Sequence, residues 1–297
     1  MSVVIPTRNR PDILAARALR TALAQEGVAI EVLIVDDGSE PPVQVAIETR
    51  VSVLRHTASR GVAAARNSGL LAARGEWVAF LDDDDLWSPF KLRKQLAALE
   101  RGGDFCYAGA IVLDTALRPL RLVPPPSASG LLGELLNRNV MPAGASNVIV
   151  RRAALIGIGG FDESFSHLDD WDCWLRLAAT NVARPCDEVL VGNVLHSGSR
   201  VQREYDVQDG ELARLERKHE ALANRLGTSF DRHDFARYVA VGHRRAGRAE
   251  AAARSYLESA RRHRSVGDIA RAAAAVARVP PRRQRRVKSP DWVGLYR

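Results

Sequence analysis

Four consecutive aspartates, Asp82-Asp83-Asp84-Asp85, are the residues of this chain best suited to chemistry. Adjacent carboxylates repel one another and lose solvation when buried, so a fold keeps such a run for a reason. Their hard oxygens suit Mg2+ or Mn2+, and such a cation keeps part of its shell for substrate phosphates. The plain alternative is a solvated acidic turn. The flanking residues favour the cation. Glu76 to Leu81 is a mostly apolar strand pattern, and Ser88-Pro89 reads as an N-cap and first helical residue. The acids then stand at the carboxyl end of a buried strand, where open α/β sheets bind ligands.

The elements around them repeat that arrangement. Ser2 to Pro6, Glu31 to Val35 and Val51 to Leu54 read as strands; Pro11 to Glu26 and Val62 to Ala73 read as helices. Strand, helix, strand, strand, helix, strand is a doubly wound α/β pattern with a mostly parallel central sheet. Phe105 to Leu113, Ser146 to Val150 and Val189 to His196 continue as strands, with a helix opening at Asp169-Asp170-Trp171-Asp172. From Glu204 the pattern is all helix, punctuated by Gly227, Gly247 and Gly267. One pair there resembles a tetratricopeptide-type hairpin, and a single pair does not make a solenoid.

Charge divides the 297 residues in the same place. Residues 206–297 hold 21 basic against 11 acidic side chains, whereas residues 1–205 hold 22 against 24. We expect a catalytic domain over 1–205 and a basic helical extension over 206–297. No apolar run reaches membrane-spanning length, and the N-terminus enters a strand pattern without a signal peptide, so a cytoplasmic location is expected. Cys106, Cys173 and Cys186 lack metal or redox spacing and read as reduced core thiols.

Five motifs occur in one order: Val4-Ile5-Pro6-Thr7-Arg8-Asn9-Arg10, Val35-Asp36-Asp37-Gly38-Ser39, Ala65-Arg66-Asn67-Ser68-Gly69, Phe80 to Asp85, and Gly159-Gly160-Phe161-Asp162-Glu163 before Asp169-Asp170-Trp171-Asp172. Together they resemble a family 2 glycosyltransferase of GT-A fold over roughly the first 200 residues. The resemblance implies a nucleoside diphosphate-sugar donor. It places Pro6, Thr7, Arg10 and Asp37 at the base, where a carboxylate can accept the imide N–H of uracil or thymine. It places Arg60 and Arg66 in the diphosphate half, Arg60 being equally a surface ion-pair residue. Asp82 and Asp84 match its Asp-x-Asp pattern. Asp84 is the expected metal ligand, with Asp82 or Asp83 facing the ribose or the metal through water. Position 83 is often small in the family, and Asp85 is free to cap the Ser88 helix. Asp170 matches the general base, and its neighbours Asp169 and Asp172 raise its pKa by repulsion. Some relatives carry a metal-binding histidine where His196 stands. The polymerising members' Gln-x-x-Arg-Trp motif is missing, which points to single addition.

The expected activity is metal-dependent, inverting transfer from a UDP- or dTDP-sugar to a glycan or lipid-linked acceptor in cell-surface glycan, polysaccharide or glycolipid synthesis. The basic tail suits peripheral contact with an anionic membrane at its inner face. Two other classes compete. A phospho-receiver domain shares Asp36-Asp37 but needs a lysine on a later strand, and none occurs between Lys94 and Lys218. A non-catalytic nucleotide- or nucleic-acid-binding protein would use Arg282 to Lys288; no stacking aromatics are interleaved there, so no nucleic acid is expected.

Overall fold

A computed structural model describes residues 1–46, 48–195, 205–245, 247–277 and 287–296. The chain divides into two compact units, Met1–Leu135 with Val140–Val194 and Val287–Arg297, and Leu136–Asn139 with Leu195–Arg286. Among the described residues no helix is long and apolar enough to cross a membrane.

The first unit is an α/β layer structure. Strands β1 (Ser2–Thr7), β2 (Glu31–Asp37), β3 (Val51–His56) and β4 (Trp77–Phe80) pair in parallel in the order β3-β2-β1-β4. β1 is buried along all six residues, which explains an apolar run without alternation. Pro11–Leu14, a π-helical stretch Ala15–Leu19 and Arg20–Leu23 run together as α1, ending earlier than the expected Glu26. α2 (Val62–Ala72) crosses β1 so closely that a Cβ on Gly69 would lie 2.3 Å from a Val4 methyl. Only glycine permits that approach.

Beyond β4 the sheet becomes mixed. It continues β4-β8-β6-β9-β5, with β5 (Leu86–Trp87), β6 (Phe105–Leu113), β7 (Pro119–Val123) paired to β6, β8 (Ile149–Arg151) and β9 (Ala183–Val194). β5 and β7 have no clear signature in the sequence. β5 corrects the expected helix start. Ser88 N–H donates to the Leu190 carbonyl, extending the β5–β9 ladder, so α3 (Lys91–Leu99) begins two residues past Pro89, with Phe90 at the N-cap position. After α4 (Leu131–Asn137) and α5 (Arg152–Gly157), α6 (Asp169–Thr180) carries the second acidic group in its first turn. Residues 287–296 belong to this unit, where Trp292 and Val293 pack with Leu86, Ile111, Leu113 and Val194.

The second unit is helical: α7 (Tyr205–Leu226), α8 (Arg232–Arg245), α9 (Ala249–His263) and α10 (Val266–Val276). Alanines 240, 252, 253, 272 and 275 close around Tyr256. Asp268 is wholly buried and accepts from His233 Nε2 (2.7 Å), Arg237 Nε (2.9 Å), Arg271 Nη1 (2.9 Å) and the Ser259 hydroxyl (2.8 Å), tying α8, α9 and α10 together. Burial alone would raise its pKa; these donors outweigh that and hold it well below the ordinary carboxylate range. A depressed acid stabilises the fold above its unfolded pKa, and the stabilisation fades as pH falls toward the folded one. Asp268→Asn is expected to cost about 3 kcal/mol in urea unfolding at neutral pH, and a smaller difference below about pH 4.

Candidate active site

Parallel pairing carries β1, β2 and β4 to a common carboxyl edge: Thr7 aligns with Asp36, and Val4 with Phe80. The four aspartates after β4 then receive four different environments. Asp83 is 1% exposed; Oδ2 accepts from the Thr7 hydroxyl (2.7 Å), and Oδ1, without a hydrogen bond, is ion-paired with Arg10 Nη2 (2.7 Å). Asp84, its side chain 16% exposed, takes Arg10 Nη1 at 2.8 Å. Asp82, 37% exposed, takes Arg66 Nη2 at 2.7 Å.

Asp85 is buried, and it does not cap α3 as the sequence suggested. It accepts from the Ser146 hydroxyl (2.6 Å), Asn193 Nδ2 (3.1 Å) and Val194 N–H (3.0 Å). Ser146 Oγ in turn accepts from Asp82 N–H at 3.0 Å. This clamp fixes the acidic loop to the end of β9. Burial pushes the Asp83 pKa up to about 7 and that of Asp85 well above the usual range.

Arg66 also differs from expectation. It is buried in α2, with Nη2 on Asp82 and Nη1 on Asp169 (2.5 Å), and its guanidinium lies 5.4 Å from the Phe161 ring centre. A fork buried between two carboxylates acts as a strut, so Arg66 holds the two acidic groups together. The adjacent Asn67 pairs with Phe161 through both backbone atoms, 2.8 Å each, and anchors the glycine-rich loop. Arg60 is 57% exposed and reaches Glu163 at 3.4 Å.

Asp170 stands beside this strut in the first turn of α6. Burial, then the charge of Asp169, raise its pKa to about 7 against the pull of Arg66. Its Oδ1 accepts from Trp171 N–H at 2.6 Å. Asp172 is paired with Arg176 at 2.7 Å, a helix role. Across from Asp170 is Gly144, at φ +50, where a Cβ would fall 2.6 Å from Asp170 Oδ2.

Of the residues expected at the base, Thr7 and Arg10 contact Asp83, and Arg10 also reaches Asp84. Pro6 is buried in β1 opposite Val35. The two Asp37 oxygens take four donors: His56 Nδ1 (2.7 Å) and Arg60 N–H (2.8 Å) on one, Ser59 Oγ (2.7 Å) and Gly61 N–H (3.0 Å) on the other. These bonds outweigh the opposing effect of burial and lower its pKa. His56, which the sequence reading did not single out, also reaches Ser68 Oγ at 2.9 Å. Asp36 organises its own turn through Ser39 N–H, Val43 N–H and Arg55. His196 lies outside the described residues.

The donor set for a divalent cation is hard oxygen. Asp82 and Asp84 are the more accessible of the four aspartates. No cluster of three or more metal-ligating side chains occurs among the described residues. Asp82 and Asp84 alone supply two hard oxygen ligands, and most of a divalent cation's shell would have to come from other ligands.

A family model for glycosyl transferase family 2 matches residues 2–156, and one for glycosyltransferase like family 2 matches 128–200. The chain belongs to glycosyl transferase family 2. A succinoglycan biosynthesis protein, ExoO, of Rhizobium meliloti is 40% identical over 107 residues, 35% of this chain and 30% of its own. The pre-mycofactocin glycosyltransferase of Mycobacterium tuberculosis is 34% identical over 196 residues, covering 60% and 39%. An Escherichia coli UDP-Glc:alpha-D-GlcNAc-diphosphoundecaprenol beta-1,3-glucosyltransferase, WfgD, is 26% identical over 186 residues, covering 61% and 70%. The chain spans less than two thirds of the length of the first curated relatives it matches. Among solved structures, S. aureus TarS 1-349 in complex with UDP-GlcNAc has the same GT-A fold, with a TM-score of 0.53 at 16% identity over 94% of this chain and 81% of that one.

Within this family 2 site, the space beside Asp170 depends on Gly144. Gly144→Ala is expected to displace the carboxylate and reduce kcat by roughly tenfold or more, with nucleotide affinity little changed in direct titration.

Proposed function

We propose that this chain transfers a sugar from a UDP- or dTDP-sugar to an acceptor hydroxyl with inversion, in the synthesis of a cell-surface glycan, polysaccharide or glycolipid. The observation that carries the reading is Asp170. It is a carboxylate with a pKa near 7, held by the Arg66–Asp169 strut beside the strand-end aspartates. The relative that acts on a diphosphoundecaprenol-linked acceptor supports a lipid-linked acceptor here. A basic extension at an anionic inner membrane face, with the protein cytoplasmic, fits that acceptor.

In this mechanism Asp170 takes the proton of the acceptor hydroxyl as its oxygen attacks the anomeric carbon from the face opposite the diphosphate. Thr7 and Arg10 form the loop against which the nucleotide lies. Arg10 and the exposed Arg60 offer donors to the phosphates. Asp37 accepts the imide N–H once the Ser59 hydroxyl, the smaller of its two side-chain donors, turns away. Mg2+ or Mn2+, held by Asp84 and Asp82, would offset charge on the departing diphosphate. One displacement with one base inverts the anomeric centre.

An α-linked donor is therefore expected to give a β-linked product, read from the anomeric coupling in NMR; a retained configuration rejects direct displacement. Asp170→Asn should lower kcat by roughly 10²–10⁴-fold while donor affinity persists. The base works deprotonated, so wild-type kcat/KM should rise about tenfold per pH unit below 7 and level above it. Near-normal turnover by the Asn variant would shift the role to another acid.

Donor identity is tested by titrating UDP, dTDP and GDP with Mn2+. Tighter binding of GDP than of either pyrimidine nucleotide would contradict the imide reading. Asp84→Asn should lose Mn2+-dependent affinity and keep its fold by circular dichroism.

A further inference from the structure

We propose that Asp83 anchors Arg10, and that Arg10 couples cation binding to donor binding. In the unliganded chain it lies across Asp84; when a divalent cation and a nucleoside diphosphate arrive, it releases Asp84 and turns to the phosphates. The inference rests on the donor site proposed above, and it concerns a residue outside the plain Asp-x-Asp pattern.

The geometry separates the roles of the two acids. Asp83 is 1% exposed; its Oδ2 accepts from the Thr7 hydroxyl, and its Oδ1 has no hydrogen bond and is ion-paired with Arg10 Nη2 at 2.7 Å. A carboxylate this buried and already ion-paired with an arginine is poorly placed to enter the shell of a solvated cation. Asp84 is more open, its side chain 16% exposed, and takes the other nitrogen of the same guanidinium. The arginine fork is planar and rigid, so one side chain spans both acids. Its Nη2 is on a buried partner and its Nη1 on an accessible one. The first contact is shielded from water and salt; the second is open to exchange.

Charge supplies the direction of exchange. A divalent cation on Asp84 repels a guanidinium that shares the same carboxylate. A diphosphate brings negative charge with acceptor oxygens that suit the fork. Arg10 can exchange Asp84 for phosphate oxygen while Nη2 stays on Asp83. In this arrangement cation and nucleotide each favour the state that the other needs, so each raises the other's affinity by the same factor.

The test is isothermal titration of the full chain with Mn2+ alone, UDP alone and UDP at saturating Mn2+. It uses wild type, D83N, R10Q, the D83N/R10Q double variant, R10K and D84N. For wild type, UDP and Mn2+ should bind with positive coupling. R10Q should bind Mn2+ alone several-fold more tightly, lose most of the coupling, and bind UDP with Mn2+ about tenfold more weakly. D83N should retain Mn2+ binding yet weaken UDP with Mn2+, and the double variant should be no weaker than R10Q, because the anchor acts through the arginine. R10K keeps the charge without the fork, so it should lose most of the coupling as R10Q does, without R10Q's gain in affinity for Mn2+ alone. Arg10 is half-exposed, so its variants carry the test even where D83N unfolds. Losses in D83N and R10Q that multiply, loss of Mn2+ binding in D83N to the extent seen in D84N, or wild-type coupling in R10K would each overturn the proposal. Unchanged Mn2+ and UDP affinity in D84N would instead strike the donor-site reading, and this inference with it.

Discussion

Six carboxylates meet at one end of this sheet, and the site exists because two arginines divide them. Asp82, Asp83, Asp84, Asp85, Asp169 and Asp170 would repel one another strongly in a partly dehydrated cleft. Arg66 is buried between Asp82 and Asp169, and Arg10 lies across Asp83 and Asp84. Asp85 is left to neutral donors, and Asp170 to its own helix turn. The pairing is therefore uneven. The acids without a dedicated cation or with deep burial are pushed up, and this leaves Asp170 poised near neutrality. Removing one member of a buried charged pair leaves its partner uncompensated, so the cluster is interdependent.

Arg66 also decides how chain segments far apart in sequence meet. It joins the strand end at Asp82 to the start of α6 at Asp169, while the neighbouring Asn67 holds Phe161 by two backbone hydrogen bonds. Two consecutive residues on α2 thus fix both the start of α6 and the glycine-rich loop before it. Gly69, two residues on, lets the same helix settle against β1. The Ala-Arg-Asn-Ser-Gly stretch is a structural joint whose position sets the geometry of the acids it touches.

A comparable economy holds at the end of β2. Asp36 and Asp37 are adjacent, and pleating sends them to opposite faces of β2. Asp36 closes the turn to Val43 and binds Arg55. Asp37 gathers His56, Ser59 and the N–H groups of Arg60 and Gly61. Each acid thereby orders a different loop, and the second is the loop that carries Arg60 toward Glu163.

The sequence by itself determined the fold class and the family. Apolar runs without alternation mark strands buried on both faces, and helical spacing marks the segments between them. Five motifs in order placed the acids at strand and helix ends. Those signals are local, and they survive translation into structure because periodicity and turn chemistry act over a few residues. What it left open was which acid meets which base. Asp82 to Asp85 are identical in type and adjacent, so nothing local distinguishes them. Burial, the reach of Ser146 and Asn193 to Asp85, and the two arginine bridges separate them only after the sheet has assembled in the order β4-β8-β6-β9. The strand at Leu86–Trp87 and the role of Ser88 escaped for the same reason: a two-residue strand has no period of its own and exists through its partner, β9. Arg66 reads as a phosphate ligand in one dimension because arginine, carboxylate and phosphate chemistry are alike. Only the tertiary structure, by burying it between two acids, made it a strut.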